Sequence, residues 1–86
     1  MRRVAASRVY FNNKEVNNDR KEFHTNHVVE LFDHVIVNHY PLEGEIAMTE
    51  WLGGTIIISE RHAFHTPKTL SIDEVSEISI DKLEML

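Results

Sequence analysis

The chain has 86 residues, enough for one domain with a single modest core. Its hydrophobic fraction of 42% and charged fraction of 27% are ordinary for a globular protein, and a net charge of −5 works against binding a phosphate backbone. With no cysteine there is no disulfide framework and no thiolate or zinc–sulfur chemistry, and no apolar run is long enough to form a membrane-spanning helix.

Met1-Arg2-Arg3 is basic but leads into no apolar segment of signal-peptide length, and from the lack of cysteine a reducing, cytoplasmic setting is expected. Charge is unevenly placed. The first eight residues carry Arg2, Arg3 and Arg8 and no acid, whereas the last sixteen carry Asp73, Glu74, Glu77, Asp81 and Glu84 against Lys82.

Val4 to Phe11 alternates loosely, with Val4, Ala6, Arg8 and Tyr10 on one face and Ala5, Ser7, Val9 and Phe11 on the other. It reads as a first strand, and Arg3 and Arg8 along it mark an edge. Residues 12–26 are polar, with Val16 and Phe23 as the only apolar anchors, and read as a mobile loop with room for a short strand around Val16. Two apolar runs follow, separated by Asp33-His34. A helical stripe through Val28, Val29, Phe32, Val35, Ile36 and Tyr40 competes with a hairpin, but the many β-branched residues favour the hairpin. Asp33-His34 is then the turn, with His34 at positive φ, where glycine is expected to be neutral or stabilising. Pro41 ends the second run, because proline gives a ladder no donor.

Leu42 to Glu45 reads as a turn, Gly53-Gly54 as a chain break, and Thr55 to Ile58 as a short buried strand. That strand carries no charge or proline, so it belongs in the middle of a sheet or under another subunit. Glu60 to Pro67 reads as a connection with one buried aromatic, Phe64. Ser71 with Glu74 three residues later makes a capping box and predicts a short helix over Ser71–Ser76. Ile78 and Ile80 alternate with polar residues as a short strand would. The chain is therefore expected to be mainly β, a small β-sandwich or partly open barrel of five to six short strands, in one domain over residues 1–86, with one short helix near the C-terminus.

Six histidines are the compositional oddity. His24 and His27 are three apart, as are His62 and His65, and two such pairs are the donor set of a tetrahedral metal site. Three-residue spacing places both rings on one face only in a helix, and neither segment reads as helical, so no cofactor or metal is expected. Glu43, Glu45 and Glu50 lie near Trp51, but glutamates flanking turns are normally solvated, and no nucleophile elbow or phosphate-cradling glycine loop is present. Tyr40 and Trp51 form a candidate recognition patch, and Arg3 and Arg8 complete the candidate interaction residues.

From Val4 to Ser59 the order of first strand, polar loop, hairpin, Pro-bearing turn, Gly-ended turn and apolar strand is similar to the small β subdomain that opens many amidohydrolase-superfamily enzymes. Gly54-Thr55-Ile56-Ile57-Ile58 corresponds to that subdomain's last strand. The family's metal ligands begin with His-x-His just beyond this point, whereas this chain has His62-x-x-His65 and no residues left for a barrel, so no catalytic residue is carried over. The expected function is a non-enzymatic cytoplasmic interaction module that forms a homodimer or docks on a partner protein, without nucleic acid or membrane. The alternative is a metal- or small-ligand-binding protein using His24, His27, His62 and His65.

Overall fold

β-Branched and aromatic residues are frequent in the strands of the computed structural model, which describes residues 1–12, 21–44 and 47–86, without the side chains of Lys21 and Glu22. In chain order these elements are β1 (Arg2–Asn12), β2 (Lys21–Phe32), β3 (Val35–Pro41), β4 (Glu50–Ser59), β5 (His62–Thr66), α1 (Ile72–Glu77), a 3₁₀ turn (Ile80–Lys82) and β6 (Glu84–Met85). They form one six-stranded sheet in the order β3-β2-β1-β4-β5-β6. Neighbours run antiparallel except β1 and β4, which are parallel. The fold is mainly β with one short helix near the C-terminus, as the residue pattern implies.

The sheet curls until its two ends meet. Ile36 N–H of β3, at one end, donates to Arg61 O beside β5, near the other, at 2.8 Å. The β2–β3 turn completes the closure, since His34 Nδ1 donates to the main-chain oxygen of Leu86 (2.9 Å) and His62 Nδ1 donates to His34 O (3.1 Å). Inside the resulting partly open barrel, Val4, Ala6, Val9, Val29, Leu31, Ile56, Ile58, Ala63 and Leu86 form the main core. A second, smaller core lies on the outer face, where Leu70 and Val75 cover Tyr10 and Ile57. This explains the unbroken Thr55–Ile58 run: Ile56 and Ile58 point inward, while Thr55 and Ile57 are buried on the other side. The Thr55 hydroxyl donates to Lys68 O and accepts from Leu70 N–H, so it pins the covering segment to the sheet.

The strand alternation changes phase halfway along the sheet. Val4 and Ala6 share the inner core with Val9 and Phe11, so the faces read from simple alternation along β1 hold only up to Ala6. At the same level the β1–β4 register shifts by one residue, Gly54 adopts φ +89°, and Asn26 of β2, opposite Ser7, has φ +48°. Left-handed backbone is what such a bulge requires, and glycine and asparagine tolerate it. Gly53-Gly54 thus lies within a strand instead of ending one.

Four further expectations are corrected. β1 is a central strand, not an edge, because β2 and β4 flank it and Arg3 is neutralised by Glu30. Of the loop expected over residues 12–26, residues 13–20 and Val16 with them lie outside the described residues. Lys21–Asn26 is the first half of β2, stabilised by pairing with Arg8 to Asn12 rather than by apolar content of its own. His62–Thr66 is a strand, held by pairing with Thr55–Ser59. Ile78 and Ile80 are not in a strand: Ile78 caps α1, Ile80 opens the 3₁₀ turn, and both pack on the outer core.

Local signals held. Ser71 accepts from Glu74 N–H and the Glu74 carboxylate accepts from Ser71 N–H, the reciprocal capping box. Asp33 and His34 both have positive φ (51° and 69°), the geometry of a type I′ hairpin turn. The edges are blunted. On β3, Ile36 N–H is taken by Arg61, His39 N–H by the Asn38 side chain (3.0 Å), and Pro41 has none; β6 is two residues long.

Asp33 is exposed, so Asp33→Gly is expected to stabilise the fold by about 0.5–1 kcal/mol by relieving left-handed strain. At His34 the same gain is offset by loss of the bond to Leu86, about 1 kcal/mol, so His34→Gly should leave the urea midpoint level or lower. Gly54→Ala should prevent folding, since a Cβ there overlaps Thr66 O and the main chain of Pro67. Urea denaturation of the three variants checks all of this.

Candidate functional site

Two clusters of chemistry-bearing side chains stand out, and each depends on the sheet geometry. The first lies on the inner face of the sheet, where, of its histidines, only His27 is buried. His24 and His27, on either side of left-handed Asn26, share a face because the phase break adds the turn that a regular strand lacks; their ring centroids are 4.7 Å apart. His39, brought from β3, places its Nδ1 2.9 Å from His27 Nε2, close enough for one shared hydrogen. Phe11 of β1 packs against all three imidazoles, at 5.0 Å from His24, 5.9 Å from His27 and 4.7 Å from His39. His27 is almost fully buried and its pKa is pushed down to about 4, first by burial and then by the charges of His24 and His39. Its imidazole is therefore neutral near pH 7.

The second cluster is on the outer face. The Glu30 carboxylate accepts from Arg3 Nε (2.7 Å), Tyr40 Oη (3.0 Å) and Asn38 Nδ2 (3.4 Å). These partners satisfy a nearly buried charge, and Arg3 first, then Tyr40, hold it below the usual carboxylate range. Burial, and next the carboxylate, raise the Tyr40 phenol. Tyr40, Val28, Ala5 and Trp51 form one row across four strands. Trp51 is 55% exposed. Nearby, Met1, Arg2, Arg3, Met48, Thr49 and Glu50 line an open cleft of about 340 Å³. A second open cleft of about 500 Å³ shares Met1 and Arg2 and reaches Phe32, His34 and Leu86.

The candidate residues divide accordingly. Arg3, Tyr40 and Trp51 lie on one face, with Arg3 and Tyr40 committed to Glu30. Arg8 lies further along β1, bonded to Leu70 O (3.3 Å) and stacked over Phe23 at 5.5 Å. Of the four proposed metal donors, His24 and His27 meet. His62 donates to His34 O, and His65 Nε2 donates to Gly53 O at 2.6 Å, so each of the latter two serves the barrel wall. Among the described residues no three His, Cys, Asp or Glu side chains are grouped to hold a metal ion. Among the three glutamates near Trp51, Glu50 is paired with Arg2 (3.0 Å), Glu43 is exposed, and Glu45 lies outside the described residues. Sequence spacing missed His39 and Phe11, whose approach to His27 depends on sheet curvature and has no local signal.

Stoichiometric zinc is expected to leave the thermal midpoint within a degree. A site filled at 100 times its dissociation constant would add about 2.7 kcal/mol, which is a shift of many degrees in a chain this size. Differential scanning fluorimetry with zinc and with chelator checks it. Comparison with family models, with curated proteins and with solved structures gives no match.

Proposed function

We propose that the chain is a non-enzymatic interaction module of the cytoplasm, and that it self-associates as a homodimer. The observation that carries this reading is the set of exposed apolar side chains at one end of the sheet, its apolar end. Met1, Phe32, Met48 and Trp51 are each more than half exposed, and Met1 and Arg2 join the two clefts on which three of them lie. Exposed Met and aromatic side chains grouped in this way favour burial against another surface. With both sheet edges blunted, strand addition is disfavoured and association proceeds face to face. Arg3 and Arg8 are engaged within the chain, which moves the interface from the basic strand to this apolar end, with Trp51 as its anchor. On this reading the pattern shared with the amidohydrolase-superfamily subdomain marks a free-standing β module.

Sedimentation equilibrium from 1 to 100 μM (a range of about that span) should show a dimer, and Trp51→Ser with Met48→Ser should weaken it at least tenfold, as loss of a central aromatic anchor does. A single-chain mass throughout that range rejects self-association. An unchanged dimer in the double variant rejects the apolar end as its interface.

A further inference from the structure

We infer that His24, His27 and His39 form a proton-operated latch that releases the C-terminal half of β3 from Phe11 under mildly acidic conditions. Among the described residues, the elements around His27 supply neutral or basic groups to it. β1 faces it with Phe11 and, in register, Ala6; β3 faces it with His39 and, in register, Pro41; and its own strand adds His24. The charges acting on it are those of the two histidines. With neutral rings, the 2.9 Å Nε2–Nδ1 contact is a hydrogen bond. When both rings are protonated, each nitrogen is a donor, and the contact becomes repulsive. His39 is the member free to move, because it is exposed and sits on the edge strand, whereas His27 is packed on the core. Turning His39 outward relieves the contact but uncovers Phe11, so local opening accompanies the proton.

The direction follows from linkage. His27 takes a proton more readily in the unfolded chain, near 6.5, than in the fold, at about 4. The penalty on the fold is therefore absent well above pH 6.5, grows as pH falls, and is complete below about 4. Between pH 7 and 5 it raises the unfolding constant about twentyfold. Glu30, Glu50 and Glu74, whose pKa values are all lowered, act below the normal carboxylate range, so they leave this window to the histidines.

Three measurements on the full chain test the latch. NMR titration of the His27 ring protons should give a midpoint near 4; a midpoint near 6.5 in the folded protein overturns the proposal. Urea unfolding at pH 7 and 5 should show most of the twentyfold change lost in His27→Gln, which keeps a polar partner for His39 without a titrating ring. If that variant retains the full change, the proposal is overturned; if it does not fold, the titration of the unsubstituted chain decides. Amide exchange, corrected for its intrinsic pH dependence, should quicken at Tyr40 and Leu42 more than along β4 at pH 5. Equal change at both places shows global loss of stability and rejects a local latch.

Discussion

The parallel pairing of β1 with β4 is the constraint on which the rest of the structure depends. Where Val9–Phe11 pairs with Ile56–Ile58 this parallel pair is covered on both faces, whereas at the Glu50-Trp51 end the outer face stays exposed. One face is covered by curling the sheet on itself, which makes the barrel interior. The other is covered by the segment from Leu70 to Leu83, with α1 and the 3₁₀ turn laid over Tyr10 and Ile57. Tyr10 Oη donates to Leu70 O at 2.8 Å, so the one polar atom of that buried ring is matched to the segment that buries it. The small size of the outer core is consistent with a chain that has few large apolar residues to spend there.

The phase break at Ser7, Asn26 and Gly54 links this architecture to the histidine cluster. A regular sheet would have sent His24 and His27 to opposite faces. A left-handed residue between them restores a common face, and the curvature that accompanies the bulge brings β3 over Phe11. Burial then does to His27 what no sequence pattern announces: it holds an imidazole neutral beside two others. On the outer face, Arg3 and Glu30, far apart in sequence, neutralise one another, while Trp51 stays more than half exposed.

How much of this was legible in the residues depends on range. The Ser71–Glu74 capping box and the Asp33-His34 turn are chemistry between near neighbours, and both could be read directly. The Thr55–Ile58 run announced a buried strand, because only double-sided burial tolerates four such residues in succession. What could not be read was set by partners distant in sequence. Lys21–Asn26 is a strand because β1 offers it a ladder, not because of its own side chains. Arg3 looked like the charge of an edge strand until Glu30 supplied its counter-charge. At the site, His24 and His27 were visible as a pair, whereas their company of His39 and Phe11 required the curled sheet; His62 and His65 are held apart from them, by the β2–β3 turn that His62 braces and by the β4 main chain at Gly53 that His65 bonds.

The β1–β4 pair also governs the order of events by which the chain reaches this state. The β2–β3 hairpin joins strands across a two-residue turn and needs little loop closure, whereas Val4 meets Glu50 only after more than half the chain has been brought round. Non-local parallel pairing of this kind is slow compared with hairpin formation. Until it occurs, the Ile56–Ile58 run lacks its β1 partner and α1 has no completed surface to cover. The blunted edges of the finished sheet give no protection at that stage, because the vulnerable edge is then an interior strand. The nascent chain, rather than the native one, is where this sequence is most exposed to aggregation.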